Sequence, residues 1–275
     1  MDPRPIGIFD SGIGGLTVTN AMQQALPTER LLYFADTVHI PYGQRSLEEV
    51  RQFSTAITRV LIAADCKLIV IACNTASAAA LAHLRAHFPT VAFVGMEPAV
   101  KPAVEQTLSG VVGVIATTAT FQSAVYASVV GRFAKDVEVI HQPCPGLVQQ
   151  IEAGELETDH TEKMLRGWLE PMLAKNIDAL VLGCTHYPFV RPLIERILGP
   201  SVRIIDPAPA VAKQVDRILE QRDLNAPAKQ VGGLVAYTSG ATEQFTALLP
   251  LLGLEQMEVR GAVWGDGDEV LELGG

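Results

Sequence analysis

The 275-residue chain carries a formal net charge of −9, with 48% hydrophobic and 19% charged residues. That balance supports buried cores, excludes a disordered chain, and argues against non-specific nucleic-acid binding, for which no basic stripe is visible. No apolar stretch reaches membrane-span length, the N-terminus lacks a signal peptide's basic region and apolar core, and the four cysteines show no Cys-x-x-Cys spacing, so a cytoplasmic protein with reduced thiols and no membrane partner is expected.

Apolar runs of strand length alternate with helical periodicity along the chain. Strands are predicted near 5–9, 31–35, 68–72, 91–95, 111–115, 137–140, 179–183, 202–205 and 233–237. Helices are predicted near 14–25, 47–63, 76–87, 121–132, 161–174, 189–198, 208–221 and 242–252. This βα alternation predicts an α/β protein with parallel sheets and helices on both faces. Only the tail after Trp264 reads as poorly ordered. Met96-Glu97-Pro98 and Asp206-Pro207-Ala208-Pro209 are the strongest boundary signals, because proline biases the preceding residue away from helix. They divide the chain into a discontinuous first domain, 1–97 plus 208–275, and a second domain, 98–207.

Two segments repeat. Leu68-Ile69-Val70-Ile71-Ala72-Cys73-Asn74-Thr75 matches Ala179-Leu180-Val181-Leu182-Gly183-Cys184-Thr185-His186, and Gly7-Ile8-Phe9-Asp10-Ser11 matches Gly113-Val114-Ile115-Ala116-Thr117. The shared order and similar spacing indicate an internal duplication. Two similar parallel-sheet domains related by a pseudo-twofold can close around a cleft, with one thiol from each. Open α/β sheets bind ligands at the carboxyl ends of their strands, where both cysteines fall.

The remaining motifs cluster at strand tips. Asp10-Ser11-Gly12-Ile13-Gly14-Gly15 leads from a strand into a helix but lacks the Gly-x-Gly-x-x-Gly spacing of a dinucleotide site. Asp10 and Ser11 are read as site residues. Pro41-Tyr42-Gly43 ends a polar loop, Asp36 to Ile40, at the same end of the sheet, and an ordinary turn with a half-buried tyrosine explains it equally well. Thr117, Thr118 and Thr120 can cap a helix and also hold a carboxylate. Cys66 and Cys144 are read as packing residues, and His39, His83, His87, His141 and His160 as surface or packing residues.

Two thiols facing one carbon suit inversion, in which one face loses a proton and the other gains it. A free thiol, with a pKa near ~8.5, is only slightly ionised at neutral pH and needs help. Asp10 can serve Cys73, whereas its repeat counterpart is Ala116. His186 can serve Cys184, whereas its counterpart is Thr75. The carbanion-like transition state also needs donors aimed at a carboxylate, and Ser11, Asn74, Thr75, Thr117, Thr120 and Thr185 are suitable. No metal cluster and no Schiff-base lysine is evident, so chemistry without metal or cofactor is expected.

Phe9-Asp10-Ser11-Gly12-Ile13-Gly14-Gly15, Pro41-Tyr42-Gly43, Cys73-Asn74-Thr75-Ala76 and Gly183-Cys184-Thr185-His186-Tyr187-Pro188 resemble the signature blocks of the glutamate racemase family, in the family's order and over nearly the whole chain. The resemblance implies two α/β domains with the site between them. It also implies cofactor-independent two-base interconversion of L- and D-glutamate, supplying D-glutamate for peptidoglycan. By the same resemblance Cys73 takes the α-proton from D-glutamate and Cys184 from L-glutamate, assisted by Asp10, His186 and Glu152. Ser11, Tyr42, Gly43, Asn74, Thr75, Thr117, Thr120 and Thr185, together with Asp10, hold the substrate, and the family's habit predicts a homodimer. The chain starts a few residues before its first predicted strand, which argues against the precursor regulation of longer, activator-dependent relatives. Two rival readings share the thiols or the cleft: an aspartate or hydantoin racemase of the superfamily, and a catalytically silent acidic-amino-acid-binding protein.

Overall fold

A computed structural model describes residues 1–254, 257–268 and 270–274. It comprises two compact units, Met1–Met96 with Ala208–Gly275, and Glu97–Pro207.

The first unit begins β1 (Ile6–Asp10), α1 (Leu16–Ala25), β2 (Arg30–Ala35), α2 (Leu47–Ala63), β3 (Leu68–Ile71), α3 (Asn74–His87) and β4 (Ala92–Gly95). The second unit runs α4 (Val100–Gln106), β5 (Val111–Ala116), α5 (Thr118–Phe121), α6 (Ala124–Phe133), β6 (Glu138–Pro143), α7 (Leu147–Glu152), α8 (Asp159–Leu173), β7 (Ala179–Gly183), α9 (Arg191–Leu198) and β8 (Arg203–Ile205). The chain then returns to the first unit with α10 (Ala208–Gln221), β9 (Gly233–Thr238), α11 (Thr242–Leu251), β10 (Glu258–Trp264) and β11 (Leu271–Leu273).

The first sheet has the order β11-β10-β9-β2-β1-β3-β4, parallel except for the antiparallel β10–β11 pair. The second is parallel with the order β6-β5-β7-β8. The segment β2-β1-β3-β4 and the whole second sheet are therefore the same permutation of successive strands. Register agrees as well: Gly7 lies opposite Ile69, and Gly113 opposite Leu180. These are the positions that the two sequence repeats align, so the duplication extends to strand pairing.

Continuous burial of β1, β3 and β7 explains why each reads as an unbroken apolar run, as expected for strands covered on both faces. Helix starts are set by local chemistry. Ser46 accepts from the Glu49 N–H while the Glu49 carboxylate accepts from the Ser46 N–H, a reciprocal cap on α2. A single helix over 121–132 is not what forms: Ser123 accepts from the Tyr126 N–H and starts α6 anew after the short α5. At the amino ends of the first sheet's strands, buried Lys67 pairs with Glu29 at 2.6 Å and donates to the Asp2 carbonyl, while Glu29 accepts from the Ala226 N–H. This pair ties four distant stretches of the first unit together.

The tail after Trp264 is not the loose end expected from its composition. A 3₁₀ turn spans Asp266–Asp268, β11 pairs with β10, and Leu271 is buried in the first unit's core. Residues 269 and 275 of that tail lie outside the described residues. β10, β11, α4 and α7 have no counterpart among the expected elements. Among the described residues no helix is long and apolar enough to cross a membrane.

Candidate active site

In the first unit, Asp10 ends β1 and Cys73 follows β3, the strand hydrogen-bonded alongside it. The Ala72 N–H donates to the Phe9 carbonyl, which carries the pairing up to the residue before the thiol. Cys73 is itself the N-cap of α3, and its sulfur accepts from the Ala76 N–H at 3.4 Å. A helix N-terminus presents partial positive charge and free N–H groups, which favour negative charge on the sulfur. Asp10 is fully buried, and its carboxylate accepts from the Ser11 N–H at 2.7 Å. Gly15 makes room for it: a Cβ there would lie 2.7 Å from the Asp10 Cβ and 2.9 Å from the Tyr33 ring.

Asn74 and Thr75 follow the thiol into α3 and are buried. Neither side-chain amide atom of Asn74 has a hydrogen-bonding partner among the described residues. A buried amide left unmade costs about 1–3 kcal/mol, so this one is poised for a ligand. Tyr42 sits in a 3₁₀ turn, Tyr42–Gln44, with Gly43 half-buried beside it. Tyr42 shares an apolar cluster with Phe9, Phe34, Cys73 and Ala76. Its hydroxyl donates to Asp36 at 2.6 Å. Burial, with Asp36, Cys73 and Asp10 nearby, raises the phenol well above its ordinary range and keeps it neutral.

In the second unit, Ala116 ends β5 opposite Gly183, and Cys184 follows β7 directly. The Cys184 sulfur lies 3.8 Å from the Nδ1 of His186, and the His186 Nε2 lies 2.6 Å from Glu152 at the end of α7. Burial opposes charge on His186, but Cys184 and Glu152 on its two sides outweigh it and raise its pKa well above the ordinary histidine range. The buried ring, between the Glu152 carboxylate and the Cys184 sulfur, is thereby biased toward holding its proton. Thr117 caps α5, and its hydroxyl pairs with that of buried Thr120 at 2.9 Å. Thr185 is buried beside Cys184.

Each unit thus gathers its own share of the expected residues at one sheet's carboxyl end. Asp10, Ser11, Tyr42, Gly43, Cys73, Asn74 and Thr75 lie in the first; Thr117, Thr120, Glu152, Cys184, Thr185 and His186 lie in the second.

Cys66 is buried just before β3, at the other end of that strand from Cys73 and beside Gly7, and desolvation pushes its thiol up to about 12. Cys144 is also buried and its thiol pushed up by burial, but it stands closer to the chemistry than a packing role suggests. Its N–H donates to the Ala116 carbonyl, and its thiol faces the buried Tyr187 hydroxyl. His39 is buried rather than a surface residue, stacked on Phe53 at 3.9 Å between ring centroids. Asp36, which gathers His39 and Tyr42, escaped notice because a lone aspartate in a polar loop reads as a turn residue. Among the described residues no three His, Cys, Asp or Glu side chains converge as metal ligands.

A family model described as Asp/Glu/Hydantoin racemase matches residues 6–215. A glutamate racemase of Ectopseudomonas mendocina (strain ymp) is 51% identical over 257 residues, covering 93% of this chain and 97% of its own length. Among solved structures, a glutamate racemase isoform of Bacillus anthracis superposes with a TM-score of 0.85 at 32% identity, covering 98% of this chain and all of that one. A Francisella tularensis glutamate racemase, solved in complex with D-glutamate, gives a TM-score of 0.81 at 34% identity over 94% of this chain and 97% of its own. With buried thiols at equivalent tips of two duplicated sheets, and with these matches along most of its length, the chain belongs to the Asp/Glu/hydantoin racemase family.

Proposed function

We propose that this protein is a glutamate racemase that uses two thiols and no cofactor. The observation that carries the reading is the pair of buried cysteines in equivalent repeat positions, one sulfur accepting from a helix N-terminal N–H and the other beside His186. Relatives of about 50% identity bear the name glutamate racemase, which supports glutamate as the substrate.

In the D-to-L direction the Cys73 thiolate takes the α-proton of D-glutamate and becomes a thiol. The electron pair left on the α-carbon delocalises into the carboxylate, which Ser11, Asn74, Thr75, Thr117, Thr120 and Thr185 hold along with the backbone of the Tyr42–Gly43 turn. The Cys184 thiol gives its proton to the opposite face, and L-glutamate leaves a Cys184 thiolate behind. His186, carrying a proton between sulfur and Glu152, stabilises that thiolate and can return the proton. The Asp10 carboxylate accepts the proton that Cys73 has gained, restoring its thiolate for the next turnover. Reversing each step converts L- to D-glutamate. The reading requires the two thiols to meet the substrate from opposite faces, one thiol supplied by the domain 1–97 plus 208–275 and the other by the domain 98–207. We also assign the product to peptidoglycan synthesis in the cytoplasm and expect a homodimer.

The test is direct. Purified protein incubated with either enantiomer, without pyridoxal phosphate, nucleotide or added metal, should lose its glutamate circular-dichroism signal and incorporate solvent deuterium at the α-carbon. Turnover of aspartate but not glutamate, or activity removed by a chelator and restored by one metal, would overturn the reading.

A further inference from the structure

We propose that the carboxy-terminal segment carrying Trp264 and Asp268 is a positioning element for the Asp36–Gly43 loop, acting through a buried Asp36–His39 pair. The inference rests on the glutamate racemase reading only where it assigns that loop to substrate binding.

Asp36 is completely buried after β2 and collects donors from three parts of the chain. From its own loop come His39, with Nδ1 at 2.9 Å, and the Tyr42 hydroxyl at 2.6 Å. The Ser239 hydroxyl, just past β9, donates at 3.0 Å, and the Trp264 indole N–H, at the end of β10, donates at 2.8 Å. A carboxylate offers about four acceptor sites, and these four donors fill them. An uncompensated buried charge is costly, so losing any donor disturbs the placement of the others. The loop is also laced to the β9 end by Thr37, whose hydroxyl pairs with Thr238 at 2.8 Å and accepts from the Gly240 N–H at 2.8 Å.

His39 closes the arrangement. Its Nε2 lies 3.3 Å from Asp268, its ring stacks on Phe53, and the Trp264 indole meets it edge-on at 4.9 Å. The tie to Asp36 anchors the Tyr42 hydroxyl and fixes which way the Tyr42–Gly43 backbone faces. Apolar packing would hold this loop more cheaply. A filled carboxylate holds it in one orientation and makes that orientation depend on residues more than 220 positions away.

The ionisable groups facing the imidazole are Asp36 and Asp268, with Tyr42 sharing Asp36; Arg45 reaches only the His39 carbonyl. α2 and β10 present rings, Phe53 and Trp264. Burial opposes charge on His39, yet the two aspartates raise its pKa above the ordinary value. The charged clasp is therefore complete below about pH 6.5 and relaxes as pH rises through the raised value.

The experiment uses full-length protein with Trp168→Phe, which leaves Trp264 as the sole indole. A protonated imidazole quenches an adjacent indole, so emission should climb with pH through a midpoint above about 6.5. His39→Leu should erase that transition and raise KM for both enantiomers roughly tenfold, with a smaller change in kcat. His39→Asn places an amide N–H near the lost Nδ1; it should also lack the transition but recover most of KM. Trp264→Phe, in otherwise wild-type protein, should raise KM in the same way and serves if His39→Leu does not fold. A transition that survives His39→Leu, or unchanged KM in both His39→Leu and Trp264→Phe, would overturn the proposal. Should the parent protein fail to turn over glutamate, the substrate reading falls, and the fluorescence titration still decides the clasp.

Discussion

The two cysteines occupy the same place in a duplicated sheet and live in opposite electrostatic company. Cys73 caps the 14-residue α3, with its sulfur on a backbone N–H and a buried carboxylate at the neighbouring strand tip. Cys184 caps no such helix: the turn after it is a 3₁₀ segment, Tyr187–Val190, and its partner is the His186 imidazole, whose pKa Glu152 helps to raise. One sulfur thus faces aligned peptide dipoles and the other a hydrogen-bonded imidazole–carboxylate pair. The duplication supplied two equivalent thiols, and divergence at Ala116 against Asp10, and Thr75 against His186, made their surroundings unequal. A reaction whose two substrates are mirror images needs two bases but has no need for identical ones.

The severest way to break this comparison is to remove each sulfur. Cys73→Ala and Cys184→Ala should each cost roughly 10²–10⁴-fold or more in racemisation, followed by circular dichroism, while serine at either site leaves only a trace. A Cys184→Ala enzyme running at full rate would end the two-base account.

The helpers come next. Asp10→Asn and His186→Asn should each slow turnover by roughly 10²-fold, but with different patterns from the two enantiomers. Because the equilibrium constant between enantiomers is fixed at one, kcat/KM falls equally in both directions for each variant, and the contrast must show in kcat and KM separately. Superimposable profiles for the two variants would erase the proposed pairing of one helper with each thiol.

Glu152→Gln sharpens the comparison further. The pKa of His186 is raised in the folded protein, so its charged pairing is fully present below the unfolded value of about 6.5 and is lost as pH rises through the folded value. Replacing the carboxylate removes part of that elevation. The alkaline limb that follows His186 should shift to lower pH, with a loss of about tenfold or more near the wild-type optimum. A pH profile of kcat from each enantiomer reads both effects, and an unmoved limb would detach Glu152 from the chemistry.

The smallest effect belongs to Cys66. Its thiol is neutral and fills space beside Gly7, where an added Cβ would lie 3.1 Å from the sulfur. Cys66→Ala should keep full activity and lose about 1 kcal/mol of stability to denaturant.

Much of this architecture is visible in the sequence because parallel strands buried on both faces must be continuously apolar. β1, β3, β5 and β7 are such runs. β10 is not: Glu258-Val259-Arg260-Gly261 places charges in a strand close to the sheet edge, and β11 has only three residues. α4 hides behind Pro98 and Pro102, which read as a boundary, although proline in a first helical turn costs little. Cys73, Cys184, Asp10 and His186 could be singled out because a repeat makes departures from symmetry visible. Glu152 came only through the family resemblance and the Asp36 network not at all, since their partners stand 34 and up to 228 positions away and no local pattern announces them.

The first sheet has a further consequence, for the order in which the chain can fold. β2 lies between β1 and β9, and its pairing with β9 joins Arg30 to Gly233 and Ala35 to Thr238. Every strand of the second sheet, by contrast, comes from one uninterrupted stretch. On a ribosome the second unit has all its strands while β2 still shows a bare, apolar edge, waiting for nearly two hundred more residues. Long loops close slowly, and unpaired edges invite wrong partners. Nascent chains stalled before residue 233 should therefore be the aggregation-prone ones, and β9 is the strand whose arrival protects the growing protein.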